Sequence, residues 1–319
     1  MNVLLGSPAP LISGQGRVVF SSSGDLTRSA ASNHPRRQSF FVSHLAEIAE
    51  GVFTTLFPAD CRLCGESLVQ ISRLPVCHSC VQAIHPIATL TCGICGERLG
   101  STYTISPNDG IARCGQCEQQ NPPFMKAVAY GSYESGLREL IHLLKYNQVR
   151  PAANVLGRML AEAISDIVPQ FDGEPPLLVP VPLHSSKLRQ RGFNQSELIA
   201  RAALKNGLPR LSVNTSAVER RRVTQSQTGL TRHQRLENMR GAFAVVHPTE
   251  IAGQDILLVD DVFTTGTTIS ECARILRRAG ANRIWVATVA RVLRPEAAFA
   301  VDERWEETEA VPRVLAAHA

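Results

Sequence analysis

The sequence predicts an α/β fold, a parallel sheet flanked by helices, with a small cysteine-rich module ahead of it. Apolar runs of strand length alternate with segments whose apolar residues recur at helical spacing, the pattern of a doubly wound sheet. Eight of the nine cysteines fall in four C-x-x-C pairs between Cys61 and Cys117. The 319 residues are 44% apolar with a net charge of +5, enough chain for a real core and for two or three domains. Mean hydropathy is near zero, and no apolar run approaches the ~18 residues of a membrane span. A cytoplasmic protein without a membrane span is expected.

Residues 1–43 are rich in Ser, Gly, Pro and Arg, hold one acid (Asp25) and lack periodicity, so a disordered extension is expected there. A short amphipathic helix is expected from Ser43 to Leu56, with Leu45, Ile48, Val52 and Leu56 on one face. The cysteine pairs follow: Cys61 and Cys64, Cys77 and Cys80, Cys92 and Cys95, Cys114 and Cys117. In a C-x-x-C-G knuckle the turn points two thiolates at one metal, and two knuckles complete a closed, structural Cys₄ site. Two structural zinc ions are therefore expected, with helix and ribbons spanning 44–121. Consecutive pairing of the knuckles is the simpler arrangement, and an interleaved one stays open. His78 and His85 lie close by as bystanders.

Pro122-Pro123 marks a linker, and 124–294 reads as one domain. Ala127 to Tyr133 is expected as a strand, Gly136 to Tyr146 and Ala152 to Ile167 as helices. Leu177 to Leu183 is a buried strand that Pro180 and Pro182 confine to an edge or an end. A helix from Asn194 to Lys205 and a short strand at Leu211-Ser212-Val213 come next, and Arg283 to Arg291 is the last strand. The tail 295–319 lies outside the core.

The chemistry concentrates at Ile256–Thr268, I-L-L-V-D-D-V-F-T-T-G-T-T. The run Ile256-Leu257-Leu258-Val259 suits a buried parallel strand, expected to end in two exposed carboxylates, Asp260 and Asp261. After Val262 and Phe263, the stretch Thr264, Thr265, Gly266, Thr267 and Thr268 opens a helix carrying Ile269, Cys272, Ala273 and Leu276, with Gly280 as its C′ residue. A helix N-terminus with hydroxyls and a glycine is an anion cradle. The two acids repel phosphate and so face another part of the ligand, for which a ribose diol is the economical partner. A sugar phosphate fits better than a bare phosphate. Upstream, Val181-Pro182-Leu183-His184 leads into Lys187, Arg189 and Arg191-Gly192-Phe193-Asn194-Gln195. This basic loop before a helix is a second anion site.

The stretch V-D-D-V-F-T-T-G-T-T resembles the phosphoribosyl pyrophosphate (PRPP) loop of type I phosphoribosyltransferases. That resemblance implies a type I phosphoribosyltransferase-like parallel sheet with an amino-terminal zinc-ribbon module. It assigns Asp260 and Asp261 to the ribose hydroxyls and Thr264 to Thr268 to the 5′-phosphate, with Val262 between them in the same PRPP-binding stretch. It also implies Mg²⁺ carried with PRPP. The order L-K-Y (Leu144–Tyr146), V-P-V-P-L-H (Val179–His184), R-G-F-N-Q (Arg191–Gln195) and T-x-x-Q-x-x-L (Thr224–Leu230) narrows the resemblance to the ComF family. Lys145, Arg191, Asn194 and Gln195 then become the pyrophosphate and acceptor side. Arg220-Arg221-Arg222 with Thr224, Gln225 and Gln227 forms either a flap over the site or a surface charge run.

Family membership implies a link to DNA uptake and natural transformation. Two readings follow: a phosphoribosyl transfer enzyme with an unnamed acceptor, or a non-catalytic PRPP-responsive scaffold binding nucleic acid or protein. Glutamine-dependent chemistry is not expected, because Met1-Asn2 supplies no processed amino-terminal cysteine. The resemblance implies the DNA-uptake machinery as a partner, and single-stranded DNA suits the Pro180 to Arg240 segment, which is strongly basic with only Glu197, Glu219 and Glu237 as acids. Phe193 and Phe243 are the aromatic residues expected near those bases, which argues against a stacking platform.

Overall fold

A computed structural model of the chain describes residues 59–68, 72–100, 103–208, 211–223 and 237–294. The expected extension 1–43, the helix Ser43–Leu56, the motif Thr224–Leu230 and the tail 295–319 lie outside the described residues.

Four parallel strands form the central sheet, β3 (Lys126–Ser132), β8 (Ile284–Arg291), β7 (Ile256–Phe263) and β4 (Leu177–Pro180), in that spatial order. Strand residues alternate between two cores, as the pleat requires. Leu257, Val259, Trp285, Ala287 and Val289 face one core, and Ile256, Leu258, Ile284 and Val286 face the other. With both faces covered, β8 is buried along its whole length.

Helices α3 (Ser135–Tyr146), α4 (Ala152–Ser165) and α6 (Gln195–Lys205) cover the first face, with α4 against β3 and β8 and α6 against β7. In α3 the buried Leu137, Leu140, Ile141 and Leu144 recur at the spacing of one helical stripe. The backbones of α4 and α6 approach closely at Gly157, where a Cβ would lie 2.4 Å from that of Ala202. Helix α7 (Thr267–Arg278) and the antiparallel pair β5 (Val218–Arg220) and β6 (Phe243–Val245) cover the second face.

The strand expected at Leu211–Val213 is reduced to one bridge between Val213 and Leu178. Leu178 N–H donates to Ser212 and its carbonyl accepts from Asn214, but Pro180 has no N–H with which to continue the ladder. β4 stops there, short of Leu183. Arg220 lies in β5, half-buried, and Arg222 donates to the carbonyls of Glu237, Asn238 and Arg240.

The cysteine module has two knuckles built alike. Gly65 and Gly96, each just after the second cysteine of a pair, take left-handed φ of 77° and 70°, which a Cβ would strain. Cys77 and Cys114 are the N-caps of the short helices α1 (His78–Gln82) and α2 (Gly115–Gln119). Between the Cys92–Cys95 and Cys114–Cys117 pairs runs the small hairpin β1 (Thr104–Ile105) and β2 (Ala112–Arg113). The first half joins the core under α3, the second the core under α7.

Candidate functional site

β7 does not end at the carboxylates. It runs on through Asp260, Asp261 and Val262 to Phe263, because β8 continues alongside it to Arg291 and supplies ladder partners. The expected exposure of both acids is corrected accordingly: Asp261 is 5% exposed and Asp260 half-buried. Asp261 Oδ2 pairs with Lys145 Nζ at 2.6 Å. Asp260 Oδ1 accepts from Ser196 Oγ and from the Asp261 amide, each at 2.9 Å.

These contacts set the electrostatics. Burial and then the charge of Asp261 push the Asp260 carboxyl up to about 7, against the opposing pull of Lys145 and Ser196. For Lys145, burial pushes downward, but the Asp261 carboxylate outweighs it and holds the ammonium above its ordinary value.

The threonine stretch follows at once. Thr264 is exposed, Thr265 Oγ1 lies 2.8 Å from Thr267 Oγ1, and Thr267 is buried. Gly266, at φ 73°, is the N-cap of α7 and has no side chain to occupy the first-turn amides. The first turn holds no acid either. A 12-residue helix therefore presents its positive end to the loop. An open cleft of about 420 Å³ is lined by Thr264–Thr267, Arg274 and Arg291 together with Gln116, Gln120 and Asn121 of the cysteine module.

The basic loop before α6 is partly helical. Helix α5 (Ser185–Arg191) ends at Gly192 with φ 77°, and its Lys187 and Arg189 are exposed. Arg191 donates to Gln195 Oε1 at 2.5 Å and lies over the Tyr146 ring at 5.6 Å. Asn194 caps α6 by accepting from Ser196 N–H and donates to the Val181 carbonyl. Gln195 is 5% exposed. The two constellations are thus neighbours, joined by Lys145–Asp261 and Ser196–Asp260. Ser196 was missed by sequence reasoning although it directly follows R-G-F-N-Q. Tyr146 was also missed as an aromatic partner of arginine: Arg150 over Phe193 and Arg220 over Phe243 match the expected neighbours, and Arg191 over Tyr146 adds a third.

The eight paired cysteines converge in two sets, Cys61, Cys64, Cys77 and Cys80, and Cys92, Cys95, Cys114 and Cys117, the sulfurs of each set within 4.8 Å of one another. The Cys64–Cys77 and Cys95–Cys114 sulfur distances are both 3.7 Å, close to the ~3.8 Å edge of a tetrahedron with Zn–S bonds of ~2.3 Å. Cys117 is pushed well up, first by its hydrogen bonds to Cys92 and Cys95 and then by burial. Four sulfurs crowd one point, and a dication lets all of them ionise. The donor sets fit structural zinc, and neither His78 nor His85 belongs to them.

A model of the phosphoribosyl transferase domain matches residues 147–311, and one of the double zinc ribbon domain matches residues 52–122. DNA utilization protein YhgH of Escherichia coli (strain K12) is 33% identical over 237 residues, 74% of this chain and 98% of that protein. Competence protein F of Haemophilus influenzae is 31% identical over 237 residues, with the same shares of 74% and 98%. The chain belongs to the ComF family. Competence protein ComFC of Bacillus subtilis, at 23% identity, covers 64% of this ComF chain and 79% of its own length. The match at 147–311 begins after β3 and α3, yet β3 is paired to β8 in the same sheet and α3 delivers Lys145 to Asp261. Among the described residues of this ComF protein, no helix is long and apolar enough to cross a membrane.

Proposed function

We propose that this ComF protein binds PRPP with Mg²⁺ through residues 124–294 and transfers its phosphoribosyl group to a nitrogen acceptor in support of DNA uptake. One observation carries the reading. Two carboxylates at the carboxyl edge of a parallel sheet run directly into a threonine loop at a helix N-terminus that no side chain caps. Asp260 and Asp261 take the ribose hydroxyls, and Thr264, Thr265, Gly266, Thr267 and Thr268 the 5′-phosphate. Mg²⁺ brought in with PRPP would supply charge neutralisation at the pyrophosphate oxygens. In the transfer the C1′–O bond breaks, pyrophosphate leaves with its electron pair, the acceptor nitrogen forms the new C1′–N bond, and its proton passes to solvent. The two thiolate sets suit a reducing compartment, which supports a cytoplasmic location.

A second reading has its own support. Lys145, Arg191, Asn194 and Gln195, the residues on the pyrophosphate and acceptor side, all hold partners within the chain. A protein that binds PRPP without turnover, and answers it by binding single-stranded DNA or the uptake machinery, fits that engagement. The relatives' names, DNA utilization protein and competence protein, support a DNA-handling role under either reading.

Calorimetric titration with PRPP and Mg²⁺, with pyrophosphate release followed against a panel of nitrogen acceptors, separates the two. Binding with acceptor-dependent release is the expected result. Binding without release selects the scaffold, and binding that survives in the double variant Asp260→Asn, Asp261→Asn sinks the site assignment.

A further inference from the structure

Among the described residues, the second cysteine set and the threonine loop share a side-chain connection that the first set lacks. Phe263 closes β7 and leads straight into Thr264. Its ring lies beneath Gly266, where a Cβ would come within 2.6 Å of Cζ, so the loop is moulded on that ring. The Arg291 guanidinium stacks against the ring at 4.3 Å. Arg291 is 4% exposed, and its Nη2 donates to Glu97 at 3.1 Å and to the Cys95 sulfur at 3.6 Å. Its Nε and Nη1 are buried without a hydrogen bond. The guanidinium is therefore oriented by Glu97, the Cys95 sulfur and the Phe263 ring.

The knuckle itself is tied to the sheet. Ala127 N–H donates to the Ile94 carbonyl at 2.7 Å, between Cys92 and Cys95, and Val292 N–H donates to the Phe263 carbonyl at 3.0 Å. The first half is also tied to β3, where Ile87 N–H donates to the Tyr130 carbonyl at 2.8 Å, but among the described residues no arginine links its sulfurs to Phe263: Cys61, Cys77 and Cys80 pack with Leu137, Leu140 and Tyr130 in the core on the other face of the sheet. Metal binding turns four thiols into a tetrathiolate whose charge exceeds that of the dication, and a charged sulfur is a stronger acceptor for a guanidinium than a thiol.

We propose that the second cysteine set, holding its metal, positions the threonine loop through Arg291 and Phe263. The anion affinity of Thr264–Thr268 then depends on metal at the second set and not on metal at the first. Arg291 is a positioning residue here, acting on the loop through Phe263. The functional consequence rests on the loop's phosphate role; the structural coupling is testable without it.

The experiment is amide hydrogen exchange on the full, zinc-loaded chain, read at Val292 and Ser270, whose amides donate to Phe263 and Gly266. Arg291→Gln keeps all eight thiols and should retain metal at both sets, by zinc assay. It should nonetheless exchange at these two amides about tenfold faster, while α4 amides keep their protection. Arg291→Lys, which restores the charge beside Glu97 and Cys95, should recover part of the protection. Cys61→Ser should lose the first metal and leave both amides unchanged. Unchanged exchange in Arg291→Gln, or equal loosening in Cys61→Ser, overturns the coupling. PRPP titration of the same proteins reads the consequence: a wild type that fails to bind refutes the phosphate reading alone, because the exchange pattern still decides the coupling.

Discussion

Replacing Asp260 with Asn should make the protein more stable and at the same time unable to hold a ribose diol. The carboxyl of Asp260 ionises at about 7 instead of 3.8, because it is buried beside Asp261. Below pH 4 it carries a proton in both folded and unfolded chains, and no difference arises. Between pH 4 and 7 the unfolded chain releases this proton while the folded chain keeps it, so wild-type stability falls as pH rises. Above pH 7 the loss is complete. The full displacement corresponds to roughly 4 kcal/mol at most. Solvent reaches part of the half-buried side chain and screens it, and Asn retains an oxygen for the Ser196 hydroxyl and the Asp261 amide. The expected net gain at pH 8 is therefore about 1–2 kcal/mol, a rise in Tm of roughly 2–8 °C. Thermal unfolding of both proteins from pH 4.5 to 8.5 checks it, read as the difference at each pH so that acid release of zinc, common to both, cancels. The advantage should grow up to pH 7 and then level off. A variant less stable than wild type at pH 8, or an advantage independent of pH, would refute the reasoning.

Other outcomes follow from single contacts. Lys145→Met strands Asp261 without its cation and should cost about 3–5 kcal/mol by urea denaturation, part of which the added substitution Asp261→Leu should restore. Gly157→Ala pushes a methyl into Ala202 and should destabilise by about 1–3 kcal/mol in the same assay, whereas Gly110→Ala, with nothing within 4 Å, should cost only its left-handed backbone. Zinc release followed with a chromogenic chelator should be biphasic: the first set leaves Cys64 exposed and leaves early, while all four cysteines of the second set are buried. A single phase would count against two separately docked ribbons.

Much of this was legible locally. The strands β3, β7 and β8 and the helices α3, α4, α6 and α7 were readable because each carries its own apolar period, and α6 and α7 also carry a boundary residue: Asn194 capping the start of α6 and Gly280 past the end of α7. The cysteine knuckles were readable because C-x-x-C-G is a complete local instruction for a turn holding two sulfurs. The end of β7 was not, since Asp260 and Asp261 stay in the strand only because β8, a separate segment, extends beside them. Nor was α5, where the basic loop expected between His184 and Asn194 winds into a helix over Ser185–Arg191 before Gly192 stops it.

By itself, the sequence singled out the residues on which the proposal rests: the paired acids, the threonine loop and the eight thiols are runs of a few neighbours, and such runs encode turns, caps and metal knuckles through short-range geometry. The tertiary structure decided what those residues touch. It set Lys145 on Asp261, Ser196 on Asp260, and Arg291 between Cys95 and Phe263. Each of those pairs joins residues 28 to 196 positions apart, and the charge, burial and hydrogen bonding of a site come from such distant partners, which no local periodicity can announce.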